Sequence, residues 1–539
     1  MDKRWYKEQV VYQIYPQSFC DSNQDGIGDL KGIQSKLDYI QNLGAQIIWL
    51  SPIYLSPLDD NGYDIADYYQ IHPRYGTMAD FDDLVREIHG RGMKLVMDLV
   101  VNHTSDEHHW FQEAIKGKDN SYHDYYLWLD KPNNWMSLFG GKACEYVASC
   151  DQYYLHLFSK KQPDLNWENP KVREEIKKML HFWLNKGVDG FRCDVINLLS
   201  KTPGLPNGKA SPILSGREHY MNGPHIHRYL EELKMEVWNQ YDCFTVGECV
   251  FLTPEQALTY IEDEKELNMV FQFQHMDADC YFVKWFLRKF RPIRLKKALS
   301  RWQEKINGRG WNSLYFENHD QPRSISRFGN ENYRFHSATF LATYLFCQQG
   351  TPFIYQGQEI GMSNAAFPDL EQYQDVETKR IYQIGKKIFG HKNMMKRIQL
   401  KSRDNARTPM QWSDKEHAGF TTGTPWIEVN PNYKEVNVEK NEEDQDSILH
   451  YYRKLLELRK NHEALIYGSF QEKFAKDHHL VCYERNMDHE SFMILGNFSE
   501  KCLDMEKKID LTPFDLVLSN YKTSTTLLKP YEIRIYIKR

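Results

Sequence analysis

The residues of this chain best suited to chemistry are acidic side chains at the ends of short apolar runs. Asp194, Glu248 and Asp320 each stand at or just after the end of such a run. If the runs are strands of one parallel barrel, their carboxyl ends meet at a single face and the three carboxylates share a cleft. One aspartate at a strand end is often only a helix cap, but three from three strands are not explained by capping. The same ends also carry Asp98, His103, Arg192 and His319.

Two carboxylates that flank one bond are the requirement of glycoside hydrolysis. One acts as the nucleophile, and the other, kept protonated by its surroundings, acts as the acid. Arg192 would keep Asp194 ionised by charge pairing. Metal-dependent hydrolysis is the rival chemistry, because aspartate and histidine at strand ends also build metal sites in barrels. The first predicted strand, however, carries no His-x-His pair of the kind that such sites often use.

Eight apolar runs supply the strands that would position these groups. The runs are nearly continuous rather than alternating, which is typical of strands buried on both faces of a parallel sheet. Helix-patterned stretches separate them, for example after the capping sequence Thr77–Asp80 and after Asn169. The predicted fold class is therefore α/β, a (β/α)8 TIM barrel. Its strands are predicted at residues 10–15, 45–50, 94–101, 190–195, 244–247, 269–273, 313–316 and 352–355.

Two stretches interrupt the alternation of strands and helices. Residues 104–168, rich in Trp, Tyr, His, Asp and Asn, are too long for a loop and predict an inserted subdomain after the third strand. After a helix predicted at about 447–465, strand patterns follow one another with only turns between them. We therefore predict a catalytic barrel from 1–103 and 169–465 and a C-terminal antiparallel β-sandwich domain from 466–539. The sandwich strands are predicted at 480–483, 492–495, 514–518 and 533–537.

Composition narrows the classes of function. The 539 residues carry a formal net charge of −6, which argues against a nucleic-acid partner. We find no apolar run of membrane-spanning length and no signal-peptide core near the N-terminus, so we expect a cytoplasmic protein without membrane association. The ten cysteines include no Cys-x-x-Cys pair, and we expect reduced thiols. Cys144 and Cys150 would form a bridge only in an oxidising compartment.

Four ordered segments resemble the signature segments of the α-amylase superfamily. They are Asp98–His103, Gly190–Asp194, Val246–Glu248 and Asn318–Asp320. Within the superfamily the chain is most similar to the oligo-1,6-glucosidase and α-glucosidase group, through Asn61–Asp64, Gln162–Trp167 and Asp404–Trp412. The resemblance covers nearly the whole chain. It implies a retaining hydrolase of small α-glucoside oligosaccharides without an organic cofactor, and we expect a monomer or a weak homo-oligomer.

The resemblance also implies roles for individual residues. Asp194 would be the nucleophile, Glu248 the general acid/base, and Asp320 a third carboxylate that binds sugar hydroxyls. The expected substrate-binding residues surround these three. Arg192 would orient Asp194, His103 and His319 would bind the reacting sugar, Asp60 and Arg407 would bind the non-reducing terminal glucose, and Tyr63 would stack on it. Such a clamp closes the cleft into a pocket and makes the enzyme exo-acting.

Linkage preference would depend on the residue after the nucleophile. In this group a valine at that position, here Val195, resembles the α-1,6-preferring type, whereas alanine or threonine accompanies α-1,4 preference. A trehalose-6-phosphate hydrolase is the nearest alternative, with the basic stretch 284–297 as a source of phosphate ligands, and an α-1,4-acting α-glucosidase is another. A non-catalytic sugar-binding or transporter-accessory protein is a remote alternative, because such proteins lose the catalytic carboxylates.

A second site is predicted near the N-terminus. Residues 21–29 place oxygen-bearing side chains at alternate positions, with Gly26 where the loop must turn, which resembles the first part of a Ca²⁺-binding loop. Position 32 is glycine, so the terminal glutamate of an EF-hand is missing. The resemblance implies a structural Ca²⁺ site, with Mg²⁺ as the alternative ion and a metal-free polar turn as the alternative structure. The expected ligands are the side chains of Asp21, Asn23, Asp25 and Asp29 and the Ile27 carbonyl.

Overall fold

Eight parallel strands form a nearly closed barrel in the computed structural model, which describes residues 2–211, 213–488, 490–505, 508–522 and 525–538. All eight predicted strands are confirmed. They are β1 Val11–Ile14, β2 Ile47–Leu50, β3 Lys94–Leu99, β4 Gly190–Cys193, β5 Phe244–Glu248, β6 Met269–Phe271, β7 Ser313–Leu314 and β8 Thr351–Tyr355. The sheet runs in the order β6-β5-β4-β3-β2-β1-β8-β7, and a bridge between Val270 and Asn312 links its two ends.

Helices surround this barrel and bury the outer faces of its strands. The capping residues predicted the beginnings of two of them. Thr77 and Asp80 form a reciprocal capping box, and Asn169 accepts a hydrogen bond from the backbone N–H of Lys171 at 2.9 Å. The main helices of the barrel layer are Leu30–Gln34, Leu37–Leu43, Met78–Gly90, Pro170–Asn185, Ile226–Glu236, Pro254–Ile261, Pro292–Ile306, Arg334–Phe346, Val376–Phe389, His391–Lys401 and Ile448–Asn461.

The long segment after β3 forms structure of its own. Its sheet has three antiparallel strands in the order Trp128–Leu129, Gln152–Leu155 and Cys144–Val147. The buried Leu155 and Leu157 pack there with Trp135, and the same cluster includes Val195 from the barrel. The insertion therefore covers the carboxyl end of the barrel beside the predicted nucleophile.

The C-terminal region is an antiparallel sheet of five strands. In sheet order they are β9 Ser469–Lys473, β10 Leu480–Met487, β11 Glu490–Asn497, β13 Ile533–Lys538 and β12 Phe514–Ser519. One face packs on the barrel helix Arg334–Phe346, where the rings of Phe340 and Phe498 lie 4.7 Å apart. The opposite face is covered by the short pair Leu503–Asp504 and Leu527–Leu528. The second layer of the predicted sandwich thus consists of two very short strands.

Two predictions from composition can be compared with the fold. All ten cysteines are free, so Cys144 and Cys150 form no bridge. None of the helices in the described part of the chain is long and apolar enough to span a membrane.

Candidate active site

Arg192 lies at the centre of the site and bridges three carboxylates. Its Nη1 donates to Oδ1 of Asp98 at 2.6 Å and to Oδ1 of Asp194, and its Nη2 donates to Oε2 of Glu248 at 2.6 Å. The strand register produces this arrangement. Asp98 in β3 lies directly beside Arg192 in β4, and Glu248 ends the neighbouring strand β5. The strand ends identified in the sequence therefore do meet, and one guanidinium holds two of the three predicted catalytic carboxylates together.

Burial raises the pKa values of Asp194 and Glu248 above those of ordinary carboxyl groups. Burial raises the pKa of Asp194 to about 6, although the charge of Arg192 opposes this shift. Burial raises the pKa of Glu248 to about 7, again against Arg192 and with a further upward contribution from Asp194. Between these values Asp194 is ionised while Glu248 keeps its proton. This is the division of roles that a retaining glycosidase needs.

Asp320 has the opposite electrostatic character. Its Oδ1 accepts hydrogen bonds from Nη2 of Arg407 at 2.8 Å and from Nη1 of Arg403 at 3.3 Å, and Nε2 of His319 lies 3.2 Å from its Oδ2. Burial alone would raise its pKa, but His319 and the two arginines outweigh burial and hold the pKa well below the usual range. Asp320 is therefore an ionised acceptor for hydroxyl groups and is unsuited to donate a proton.

Tyr63, His103 and His319 form one hydrogen-bonded group beside these carboxylates. The ring of Tyr63 stacks on His319 with centroids 5.2 Å apart, and its hydroxyl lies 2.6 Å from Nε2 of that histidine. Nε2 of His103 lies 3.0 Å from the carbonyl oxygen of Tyr63. Burial lowers the pKa of both histidines, so both rings favour the neutral form. Gln162 joins the group by donating to Oδ2 of Asp60 at 3.3 Å.

The partner of Asp60 is Arg403 rather than Arg407. Nη2 of Arg403 donates to Oδ1 of Asp60 at 2.7 Å and to Oδ1 of Asp375 at 2.6 Å. Arg407 bonds instead to Asp320 and to the carbonyl oxygen of His319. Asp60 and Arg407, expected to bind the terminal glucose together, are therefore linked only through Arg403, which bonds Asp60 and shares Asp320 with Arg407.

Sequence reasoning missed Arg403 and Gln162 as site residues. Both lie in segments that carried the resemblance: Arg403 directly precedes Asp404, and Gln162 opens the segment 162–167. Arg403 is buried, and the carboxylates of Asp375, Asp60, Asp320 and Glu377 raise its pKa well above the usual value despite burial, which opposes that shift. An arginine that faces four carboxylates is held by long-range contacts that no local spacing reveals.

Val195 has an unusual backbone conformation directly after the nucleophile. Its φ is 35° and its ψ is 41°, a left-handed region that a β-branched residue rarely adopts. The strain lies at the turn out of β4, where the amide N–H of Val195 donates to Oε2 of Glu248 at 3.2 Å. Its side chain lines the cleft. The strained turn therefore positions Asp194, a hydrogen-bond donor to Glu248 and an apolar group of the cleft wall together.

A single cavity of about 680 Å³ connects these groups to the solvent. Its lining includes all three predicted catalytic carboxylates together with Asp60, Tyr63, His103, Val195 and Arg403. The buried ion pair of Asp60 and Arg403 is part of the lining at its inner end. The outer part of the lining includes the exposed side chains of Phe282 and Ile388.

The loop at 21–29 is held by its own hydrogen bonds. The carboxylate of Asp21 accepts from the backbone N–H groups of Asn23, Gln24 and Gly26, and Asp29 caps the helix Leu30–Gln34 by accepting from Gly32 at 2.7 Å. Asp25 accepts from the N–H of Ile27 at 2.9 Å. Within the described ranges no three Asp, Glu, His or Cys side chains converge as metal ligands. The donor set is chemically suited to Ca²⁺, but Asp21, Asp25 and Asp29 do not converge on one point.

Comparison with known proteins agrees with this geometry. The model of the alpha amylase catalytic domain matches residues 13–468. An oligo-1,6-glucosidase of Parageobacillus thermoglucosidasius is 52% identical over 99% of this chain and 99% of its own. The structure of Bacillus licheniformis trehalose-6-phosphate hydrolase covers both chains completely at 46% identity and a TM-score of 0.94, and an isomaltulose synthase of Klebsiella does so at 40% and 0.95. The chain belongs to the α-amylase family of glycoside hydrolases.

Proposed function

We propose that this protein is an exo-acting, retaining α-glucosidase that hydrolyses terminal α-1,6-glucosidic bonds of isomaltose-type oligosaccharides and releases glucose. One observation carries the proposal. Asp194 and Glu248 share the guanidinium of Arg192 at the inner end of the cleft, and their pKa values are separated in the direction that retention requires. Oligo-1,6-glucosidases about half identical over the full length of the chain support the same function.

The geometry supports double displacement. An oxygen of Asp194 attacks the anomeric carbon and forms a covalent bond to it, while the bond to the leaving oxygen breaks and Glu248 transfers its proton to that oxygen. Glu248, now ionised, takes a proton from water. The resulting nucleophile attacks the same carbon and restores the Asp194 carboxylate, with net retention. Asp320 and the Tyr63 and His103 group bind the hydroxyls of the ring during both steps.

Val195 supports the α-1,6 preference. Its side chain contributes only apolar contact beside the catalytic carboxylates, so it acts on the leaving sugar through shape. An α-1,6 linkage runs through an exocyclic methylene group and so has one more rotatable bond than an α-1,4 linkage. It therefore places the leaving ring differently against Val195.

The trehalose-6-phosphate alternative requires a cation that is free to bind phosphate. Two cations line the cleft within the described part of the chain, and both are paired: Lys284 bonds to Glu377 at 2.5 Å, and Arg403 bonds to Asp60 and Asp375. Lys296, further along the basic stretch, is buried and donates to the carbonyl oxygens of Phe474, Asp477 and Leu480. These pairings favour an uncharged leaving group.

A substrate panel tests the proposal. Purified protein is given isomaltose, panose, maltose, sucrose and trehalose-6-phosphate, and the initial rate of glucose release is measured for each. We expect isomaltose and panose to be the fastest substrates, with the α-anomer of glucose as the first product by NMR. Fast release from trehalose-6-phosphate alone would replace this function with the phosphorylated one, and β-glucose as the first product would exclude retention.

We further propose that the 21–29 loop binds Ca²⁺ in a structural role, with Mg²⁺ as the alternative ion. Binding would require the Asp21 and Asp25 carboxylates to turn toward one another, which the exposed position of the loop permits. Thermal unfolding with excess EDTA, Ca²⁺ or Mg²⁺ tests this. We expect a higher melting temperature with Ca²⁺ in the wild type and none of that increase in Asp25→Ala. Equal melting curves under all conditions would leave the loop as a metal-free turn.

We also propose a cytoplasmic setting and a monomeric or weakly associating chain. Ten free thiols, most of them buried, support a reducing compartment. Sedimentation velocity over a range of concentrations measures the association state directly.

A further inference from the structure

Asn197 is a fully buried polar residue that the mechanism above does not use. It lies three positions after Asp194, in the short turn Ile196–Leu198 that follows the strained Val195. Its side-chain amide reaches across to the loop that leaves β5 after Glu248. Asn197 therefore connects the two loops that follow the catalytic strands β4 and β5.

Both backbone polar groups of Val250 are bonded to this one amide. The N–H of Val250 donates to Oδ1 of Asn197 at 3.1 Å, and Nδ2 of Asn197 donates to the carbonyl oxygen of Val250 at 3.0 Å. A backbone N–H must donate and a backbone C=O must accept, so these partners determine the orientation of the amide. Nδ2 also donates to Oδ1 of Asn222 at 3.2 Å, and that oxygen accepts from the hydroxyl of Tyr260 at 2.6 Å.

The backbone around this amide is strained at three places. Val195, Asn222 and Phe251 have positive φ values of 35°, 48° and 58°. Large and β-branched residues seldom adopt this region, and a strained segment keeps it only where the surrounding structure holds it there. Phe251 directly follows Val250, so the two bonds from the amide fix the chain at the residue before the strain. Asn197 therefore holds the loop after β5 in a conformation that its own sequence does not favour.

Glu248 depends on this loop more than Asp194 does. The N–H of Asp194 donates to the carbonyl oxygen of Leu99 at 2.9 Å, and its carboxylate accepts from Arg192 of the preceding strand. Glu248 is the last residue of β5, and its main chain continues directly into the loop that Asn197 holds. An acid must lie within hydrogen-bonding reach of the leaving oxygen, and a displacement of about 1 Å can lower the rate by about 10²-fold.

We propose that Asn197 is a positioning residue for Glu248, and that its amide holds the loop after β5 so that the acid can protonate the oxygen of the leaving sugar. The inference rests on the proposed function, because that function makes Glu248 the general acid. Asn197 acts through the main chain of Val250, whose side chain lines the cavity. Loss of the amide should therefore impair proton transfer to the leaving group more than attack by Asp194.

The test compares two substrates that differ in their need for an acid. Isomaltose leaves through a sugar hydroxyl that must be protonated, whereas α-D-glucosyl fluoride releases fluoride, which needs little help from an acid. For both substrates kcat/KM reports the steps up to the covalent intermediate, so the later attack by water does not enter. The ratio of the two values within one preparation also cancels any loss of folded protein. Glu248→Gln is the reference, because it should lose reaction with isomaltose far more than reaction with the fluoride.

Asn197→Leu removes the amide and keeps a branched side chain of similar shape. We expect kcat/KM for isomaltose to fall by about 10²-fold, and kcat/KM for the fluoride to fall far less. Asn197→Asp keeps an acceptor for the N–H of Val250, is milder for folding, and should show the same pattern with a smaller loss. Equal fractional losses on the two substrates in either folded variant, or wild-type kinetics in both, would overturn the inference.

Asn520 provides the matched control, because it holds the backbone of the C-terminal domain in the same way. It is buried, its Oδ1 accepts from the N–H of Ile533 at 2.9 Å, and its Nδ2 donates to the carbonyl oxygen of Tyr531 at 2.8 Å. Asn520→Leu should lower the melting temperature, as Asn197→Leu does, and keep the wild-type ratio of the two substrates. A ratio that changes equally in both leucine variants would overturn the inference, because it would follow stability alone.

The same experiment separates this inference from the proposed function. A wild type that reacts with neither isomaltose nor the fluoride would reject the proposed function, and the inference with it. An active wild type, with the selective loss in Glu248→Gln and equal losses on both substrates in Asn197→Leu, would leave the function in place and remove only the role of Asn197.

Discussion

The inner end of the cleft is lined by buried ion pairs, whereas its mouth is lined by exposed apolar side chains. At the inner end, Asp60, Asp194, Glu248 and Asp320 are all bound by buried guanidinium groups. At the mouth, where the loop 281–286 and the helix Val376–Phe389 line the cavity, exposed phenylalanine and isoleucine side chains dominate, and Lys284 is already paired with Glu377. The inner end can therefore discriminate the positions of hydroxyl groups, whereas the mouth responds only to shape and apolar area.

This contrast explains why one fold can serve several related reactions. The fixed charges that stabilise the transition state belong to strand ends of the barrel, and the barrel positions them rigidly. The mouth is formed by the loop 281–286 and one face of a helix, which can change without disturbing the strands. The two solved relatives named above, a trehalose-6-phosphate hydrolase and an isomaltulose synthase, match this fold with TM-scores of 0.94 and 0.95. We therefore expect changes at the inner end to affect rate and changes at the mouth to affect selectivity.

The largest effect is expected from removal of the nucleophile. Asp194→Ala should lower kcat for isomaltose by about 10⁴-fold or more, because no other oxygen is placed to form the covalent bond. Sodium azide should restore part of the rate by entering the vacated space, and the product should be the β-configured glucosyl azide. Asp38→Ala, a change at an exposed carboxylate paired with Arg91, is the control and should retain wild-type activity. Near-normal turnover by Asp194→Ala would exclude this residue as the nucleophile.

A smaller effect is expected from Arg403, the cation shared by Asp60, Asp320 and Asp375. Arg403→Lys keeps the charge but loses the forked geometry, so kcat/KM for isomaltose should fall by roughly 10²-fold, mainly through KM. Arg403→Gln should lose more activity and also stability, because it leaves buried carboxylates without their cation. Circular dichroism and melting curves separate the two contributions. Equal kinetics for the wild type and the folded lysine variant would make Arg403 a structural residue only.

Arg403 also shows where sequence reasoning reached its limit. The strand ends, the two caps and the order of the motifs could be predicted because each depends on residues a few positions apart. The pairing of Asp60 with Arg403 joins residues 343 positions apart, and only the folded chain brings them together. The same limit applies to the mouth of the cleft, where the ring of Phe286 in the loop 281–286 packs on Phe389 of the helix Val376–Phe389.

Two smaller differences have local causes. Strand β9, Ser469–Lys473, was not predicted, because its alternation of Phe470 with charged and polar residues is short and lies at the sheet edge. The predicted sandwich has a thin second layer, because the segments 503–504 and 527–528 supply only two residues each to it. Pattern reasoning identified the type of each region better than its extent, since edge strands are fixed by their neighbours as much as by their own sequence.

Val195 lies in the same cavity lining as the catalytic carboxylates and the apolar side chains of the mouth, so its substitution affects both regions. Val195→Ala removes two methyl groups beside the nucleophile and should shift the ratio of kcat/KM for isomaltose over maltose by about tenfold toward maltose. The expected change in the absolute rate on isomaltose is smaller than for Arg403, because no charge is lost. The ratio is measured for the wild type and for the variant in a competition assay with both substrates and product analysis. An unchanged ratio would place linkage selection elsewhere in the cleft wall.

The mildest test changes only pH and assigns the titrating groups to the inner end. Activity requires Asp194 without a proton and Glu248 with one, so kcat/KM should fall below a pH of about 6 as Asp194 takes up a proton and above about 7 as Glu248 loses its proton. Because the two carboxyls interact, the two limbs report apparent values of the pair. These limbs belong to the free enzyme, so isomaltose and panose should give the same profile despite their different leaving groups. Profiles that differ between the two substrates would show that the mouth takes part in the ionisation, and the separation of the two regions would fail.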